Sequence, residues 1–397
     1  MNFILQFLFF VAGSVIGEDF YDWDKEIQDS GLQYQISLHE DPVLLISKNK
    51  TLAVEAVNME SNNNVAAKLF RGRLYVGWRT APVHFASVET RLHIVSSGNN
   101  GSTWEYEQTI FLGSDLREPF FVEAEGNLLF YFFQGGSNPL DFEPKALYQM
   151  LRLENGLWTE PVVFGHEGEV IWEVVEHNGT LYSQSYSGDY STPGDAEDLG
   201  KLFVFFNRIF EDKESGLTEI GFQFDLEGNL WGVGRNEDGD DSGWGSRLFT
   251  ASRSNLSNWI FLEQLSNPNI FESPKMFRHG GDLFLVARTD PDGQFWSRDN
   301  PLLNTLPAWD GFSLRQHGTG IWKLNTETGS LEQVLTLAGC GDTAFPSIVR
   351  KSRHAYIIFN YSSTLEDNCP HNWIMGQISP AGSVIYMQEI VFEVQTD

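Results

Sequence analysis

The sequence predicts an all-β fold, a six-bladed β-propeller, on three observations. A turn-plus-strand segment recurs six times, tryptophans follow it in phase, and no long segment carries a 3.6-residue apolar period. The chain has 397 residues, 41% of them hydrophobic, so it can bury a large core. Its 12 Trp, 31 Phe and 37 Gly favour short strands joined by tight turns.

The repeat comprises 71–79, 125–133, 178–186, 227–235, 280–288 and 352–360. Turn residues, mostly containing Gly, precede an apolar run in each. The anchors Leu74, Leu128, Leu181, Leu230, Leu283 and Ala355 are 54, 53, 49, 53 and 72 residues apart. The last gap holds 290–312, rich in Asp, Pro and Trp, which reads as an inserted loop. Trp104 and Trp158 each lie 30 residues after an anchor, and Trp259 lies 29 after one. A period of about fifty residues leaves room for four short strands, the spacing of propeller blades. Residues 41–397 therefore read as one domain, with 18–40 an N-terminal arm or an early strand. A ring must close, so Pro42–Ile46 or Ser383–Phe392 are expected to complete the first or last blade.

Residues 1–17 are an apolar run ending in small residues. They read as a signal peptide cut after Gly17, although no Lys or Arg precedes the run. The run is too short to span a bilayer and no later one is longer, so a secreted, extracellular protein without a membrane span is expected. Sequons at Asn49, Asn100, Asn178, Asn255 and Asn360 fit a glycoprotein. The two cysteines, Cys340 and Cys369, suggest one disulfide, with two buried thiols as the alternative. A net charge of −28 repels nucleic acid and anionic membranes, and suits a soluble extracellular surface or one that meets Ca²⁺ or mineral.

Ser97-Gly-Asn-Asn-Gly-Ser-Thr-Trp104 resembles the Asp-box turn of sialidases, with Asn99 in place of Asp. Thr218–Asn236, with Glu219 and Arg235 sixteen residues apart, resembles a sialidase blade, and Glu272 to Arg288 repeats that spacing. Asp342–Ile348 with Asn360-Tyr361-Ser-Ser resembles the closing blade, and Asp115-Leu-Arg117-Glu-Pro119 the Arg-x-Pro element. The resemblance, over about residues 50–395, is to the sialidase-like, Asp-box six-bladed propeller superfamily.

The resemblance implies a central pocket for an acidic glycan. Guanidinium groups grip a sugar carboxylate through bidentate, charge-assisted pairs. Arg79, Arg235 and Arg288 share one repeat position, five residues after the anchor, and so are expected to converge, with Arg117 a fourth and His84 a further contact. Each arginine could equally pair with an inner carboxylate. In the family a tyrosine is the nucleophile, which points to Tyr361, with Glu219 or Glu272 taking its proton. Two departures stand against hydrolysis. No early loop carries the family's acid aspartate, and no Arg-Ile-Pro opens the first blade. Asn236, Asp238 and Asp240 alternate in an acidic loop that could ligate Ca²⁺. No other cofactor is expected. The partners expected are thus extracellular glycans. The alternative is a non-catalytic matrix or adhesion protein associated with Ca²⁺ or mineral.

Overall fold

The computed structural model describes residues 30–139, 143–187, 201–204, 217–236, 245–264, 266–267, 269–290, 314–366 and 369–395. The inserted loop expected at 290–312 lies outside them apart from Asp290, as do residues 1–17.

Two short strands open the described chain, β1 (Tyr34–Leu38) and β2 (Val43–Ile46). Four strands follow as one sheet, β3 (Ser61–Phe70), β4 (Arg73–Ala81), β5 (Arg91–Ser97) and β6 (Glu105–Ile110). The next contains β7 (Leu116–Ala124), β8 (Asn127–Gln134), β9 (Ala146–Leu151) and β10 (Val162–Phe164). Three described strands make the third, β11 (Glu169–His177), β12 (Thr180–Ser187) and β13 (Lys201–Val204). The fourth is β14 (Thr218–Phe224), β15 (Leu230–Arg235), β16 (Ser246–Ala251) and β17 (Ile260–Phe261). The fifth is β18 (Glu272–His279), β19 (Asp282–Thr289), β20 (Gly318–Asn325) and β21 (Ser330–Thr336). These five sheets are antiparallel meanders of consecutive strands, the construction of propeller blades.

The remaining sheet draws on both ends of the chain. It holds β22 (Cys340–Thr343), β23 (Ser347–Ser352), β24 (Ala355–Thr364) and β25 (Val384–Val394), with the short helix α1 (Trp373–Ile378) between the last two. Tyr34 to Leu38 pair with Val394 to Ile390, and Val43 pairs with Met387. The described part of 18–40 is thus a strand rather than a free arm, and both terminal segments expected to close the ring lie in one sheet.

The repeat is the inner turn plus the second strand of each sheet. Arg71-Gly72, Glu125-Gly126 and Asn178-Gly179 have positive φ at both positions, 47° and 72°, 51° and 73°, 51° and 73°. Two consecutive left-handed residues make the type I′ turn whose twist matches the flanking strands. The anchors begin the second strands, and Leu74, Leu128, Leu230 and Leu283 are buried. The in-phase tryptophans sit just before the outermost strand. Trp259 stacks on Phe249 with centroids 4.1 Å apart, and Trp158 packs against Phe121 and Phe130. In the turn at Ser97, Thr103 N donates to Asn99 Oδ1 and Gly101 N to Ser97 Oγ, each at 2.8 Å. Asn99 therefore supplies the side-chain acceptor without a charge.

Candidate functional site

Each inner strand is interrupted near its start. Register shifts fall between Asn63 and Ala66, Arg117 and Phe120, Ile171 and Glu173, Thr218 and Gly221, Glu272 and Lys275, and Cys340 and Thr343. Asn64, Glu118, Glu219 and Ser273 have φ of 45° to 49° at these shifts, and Ala344 and Phe345, in the gap after β22, have φ of 77° and 85°. A non-glycine residue held in this region costs about 1–3 kcal/mol, so a ring of them marks where backbone strain is concentrated. Arg117, Glu118, Glu219 and Glu272 lie at these interruptions, and Arg235 and Arg288 stand opposite Thr218 and Glu272 on the adjoining strands. Below them an axial cavity of about 360 Å³ is lined by inner-strand residues, among them Ala67, Glu118, Trp172, Glu173, Lys275 and Ser347.

Arg79 is fully buried and consumed within the fold. Asp115 Oδ1 accepts from its Nη2 at 2.7 Å and its Nε at 3.2 Å, and the carbonyl of Phe85 accepts at 3.0 Å. The expectation that Arg79 touches a ligand is corrected. It latches the first sheet to the second. The other oxygen of Asp115 pairs with Arg117, whose Nη2 donates to the His84 carbonyl at 2.7 Å. Burial pushes the Asp115 carboxyl upward, but the two guanidinium groups outweigh it and hold it below the usual range.

Arg235 and Arg288 share one carboxylate, Glu272. Arg235 donates from Nη1 to Glu219 at 3.2 Å and from Nε to Glu272 at 3.0 Å, bridging the fourth and fifth sheets. Arg288 donates to Glu272 at 2.8 Å, to the Thr343 carbonyl at 2.6 Å and to the Tyr361 hydroxyl at 3.3 Å. That hydroxyl donates to Asp342 Oδ1 at 3.0 Å, and Asp342 Oδ2 lies 2.5 Å from His84 Nδ1. Glu219 and Glu272, expected beside Tyr361, are instead taken up by arginines, and the carboxylate that meets the Tyr361 hydroxyl is Asp342. Burial and the Asp342 charge push the phenol of Tyr361 well above its ordinary value, so it stays neutral. Burial lowers His84 despite Asp342, so its ring is neutral near pH 7. The helix α1 covers this corner, with Trp373 stacked on Arg288 at 5.6 Å. The Cys340–Cys369 disulfide fastens the loop that carries it.

Glu118, the middle residue of the Arg-x-Pro element, escaped the sequence reading. Burial and the neighbouring Glu219 raise its carboxyl to about 8, against Arg117 and Lys275. Lys275 Nζ sits 4.8 Å over the Trp172 ring and donates to the Trp172 carbonyl, and burial lowers it despite Glu173, Glu118 and Glu219. Glu173, raised to about 7 by burial, accepts from Phe222 N at 2.9 Å. The available signal was proline inside a strand-like run. Pro119 and Pro274 each follow a left-handed residue at a bulge, and Pro346 follows one between β22 and β23, where the missing N–H loses no ladder bond.

Among the remaining candidates, Asn49, Asn100, Asn178 and Asn255 are exposed. Asn360 is not a glycan acceptor in the fold. It is fully buried and its amide donates to Thr319 at 3.1 Å and Tyr386 at 3.0 Å. Asn236 is buried and donates to Ser266 at 2.8 Å, while Asp238 and Asp240 lie outside the described residues. Among the described residues no cluster of three or more acidic, His or Cys side chains could hold a metal. No helix among them is long and apolar enough to cross a membrane.

Fold and site together define an all-β propeller with a charged axial mouth. No family model and no curated protein matches the sequence, but solved structures match the fold. A protein of unknown function from Dyadobacter fermentans has a TM-score of 0.59 at 12% identity, covering 90% of this chain and 99% of that one. Trypanosoma rangeli sialidase in complex with the inhibitor DANA has a TM-score of 0.53 at 13% identity, covering 90% of this chain and 59% of that one. Its complex with sialic acid gives 0.51 at 15% identity, over 91% and 59%. The chain thus spans about three-fifths of the sialidase's length. At these identities the likeness is one of fold.

Proposed function

We propose that this is an exported, six-bladed, sialidase-like propeller glycoprotein that binds an acidic glycan at its axial mouth. Export is read from residues 1–17, glycosylation from the four exposed sequons, and an Asp-box turn from 97–104. The sheet that joins both chain ends is counted as the sixth blade. The observation that carries the glycan reading is the sharing of Glu272 by Arg235 and Arg288 from adjacent sheets, with Tyr361 against Arg288 and Arg117 within electrostatic reach of Tyr361. Arg117 and Arg235 keep 17% and 20% of their side chains exposed, enough to meet a ligand. Asp115, Glu219 and Glu272 hold the guanidinium planes in place, so a sugar carboxylate meets pre-oriented donors and little ordering is left to binding.

A glycan panel of sialosides, uronates and their neutral counterparts tests this. Acidic members are expected to bind, neutral ones not, and Arg235→Ala to weaken binding roughly tenfold or more, the loss of one charge-assisted bond. Folded protein that ignores the sugar carboxylate refutes the reading. A Ca²⁺ titration sensitive to Asp238→Asn and Asp240→Asn would then favour the matrix alternative.

A further inference from the structure

We propose that Glu118 is the proton donor of a glycosidase site, delivering its proton to the glycosidic oxygen of a glycan bound at the mouth. The inference rests on the glycan reading above and extends it from binding to bond cleavage. An early acidic loop residue is missing from the sequence, yet the reaction needs a carboxylic acid that is still protonated near neutral pH.

The carboxylates around the mouth divide sharply. Asp115 is held by Arg79, Arg117 and Thr90, Glu272 by Arg235 and Arg288, and Asp342 by His84 and Tyr361. Glu219 takes Arg235 on one oxygen and Ser273 N at 3.0 Å on the other. Charged or hydrogen-bonding neighbours hold Asp115 and Asp342 below the usual carboxylate range, which makes them poor proton donors, and the oxygens of Glu219 and Glu272 are occupied by arginines and a backbone N–H. Glu118 makes no ion pair among the described residues, and its hydrogen bond comes from the neutral Asn64 Nδ2 at 3.3 Å. It stands on a bulge at φ 49°, lines the axial cavity, and its charged form meets Glu219. A group left neutral beside committed carboxylates is the pattern that separates an acid from its neighbours.

A second observation points to a ligand at the same place. Asn64 is 4% exposed and its Oδ1 has no hydrogen-bond partner. A buried acceptor without a donor is costly, and a sugar hydroxyl seated against Glu118 would satisfy it.

In the step, the Glu118 proton passes to the glycosidic oxygen as the bond from that oxygen to the anomeric carbon breaks. The leaving group departs as a neutral alcohol. Glu118 becomes a carboxylate facing Arg117 from its own strand, Lys275 from β18, and the negative Glu219 from β14 and Asp115. Water supplies the incoming oxygen, and its released proton restores Glu118. Glycoside and water thus give two hydroxyl products, with the protein unchanged.

The test uses the purified full chain with methyl and 4-nitrophenyl glycosides of N-acetylneuraminic acid and glucuronic acid. Wild-type activity should fall as pH rises past about 8. Glu118→Gln should lose about 100- to 10,000-fold on the methyl glycosides, far less on the nitrophenyl ones, and should lose that alkaline limb. Nitrophenol leaves without a proton, so only a missing donor separates the two series. A protonated-carboxyl infrared band should be present at pH 7 in the wild type and lose the Glu118 share of its intensity in the variant, leaving only what Glu173 contributes. Cleavage of methyl glycosides unchanged by Glu118→Gln overturns the proposal and spares the glycan reading. Binding without any cleavage does the same. Failure to bind or cleave any of them removes both.

Discussion

Replacing Asp115 should destabilise the whole propeller, because this one carboxylate neutralises the fully buried Arg79 and also holds Arg117. Its oxygens accept from Arg79 at 2.7 and 3.2 Å and from Thr90 at 2.9 Å. Arg79 is 0% exposed, so Asp115→Ala leaves a guanidinium with no water and no counter-charge. Breaking such a pair from one side costs about 3–5 kcal/mol, a large share of the roughly 5–15 kcal/mol that stabilises a domain. Removing both partners, as in Arg79→Met with Asp115→Leu, should recover most of that loss, since paired burial is close to neutral. Urea unfolding followed by tryptophan fluorescence reads the difference. The Asp115 carboxyl is held below its ordinary value, so its contribution is complete above the unfolded value of about 3.9 and is lost as pH falls through the native one. The gap between wild type and Asp115→Asn should therefore be widest near pH 7 and close below about pH 4. A gap at pH 7 under about 1 kcal/mol, or one that widens in acid, refutes the argument.

The Cys340–Cys369 disulfide closes a separation of 29 residues, so Cys340→Ser with Cys369→Ser should cost about 3–4 kcal/mol on chain-entropy grounds. Thermal unfolding with and without reductant checks it. Gly221→Ala would place a Cβ 2.8 Å from the Pro274 carbonyl carbon, forcing the fourth and fifth inner bulges apart. Destabilisation of about 1–3 kcal/mol is expected, with weaker binding of acidic glycans as the Arg235–Glu272 bridge shifts. Asn360→Gln should leave the glycan mass of protein expressed in a glycosylating host unchanged while lowering its melting temperature, because Asn360 is buried and bonded to Thr319 and Tyr386. The corresponding change at Asn255 should do the reverse, and intact-mass spectrometry separates the two.

The repeat was legible because it rests on local physics. Type I′ turns demand residues tolerant of positive φ, and the strand after each turn is buried on both faces, so Arg71-Gly72 to Leu74 and Glu125-Gly126 to Leu128 announce themselves. The convergence of Arg235 and Arg288 followed from position in that repeat. Their partners did not, because pairing across sheets depends on register. Asp342 faces Tyr361 only because β22 breaks step with β24 between Cys340 and Thr343. Arg79 shows the opposite failure. It occupies the same repeat position, yet Asp115 from the neighbouring sheet claims it entirely. Glu118 was hidden by chemistry, since a glutamate between Arg117 and Pro119 looks like another surface acid until the bulge turns it toward the axis.

The sheet that joins residues 34–38 to 390–394 has a consequence for how the molecule is made and lost. Its outer strand pairs with one about 350 residues later in the sequence, so this sheet cannot be completed until all the intervening sheets have been made. That contact closes a loop of about 350 residues, the longest-range strand pairing among the described residues and so an entropically demanding one. Trimming the chain before Val43 would leave β25 with a bare edge, open to strands from other molecules. The seam is therefore where ageing or proteolysis would first turn a closed ring into a sticky one.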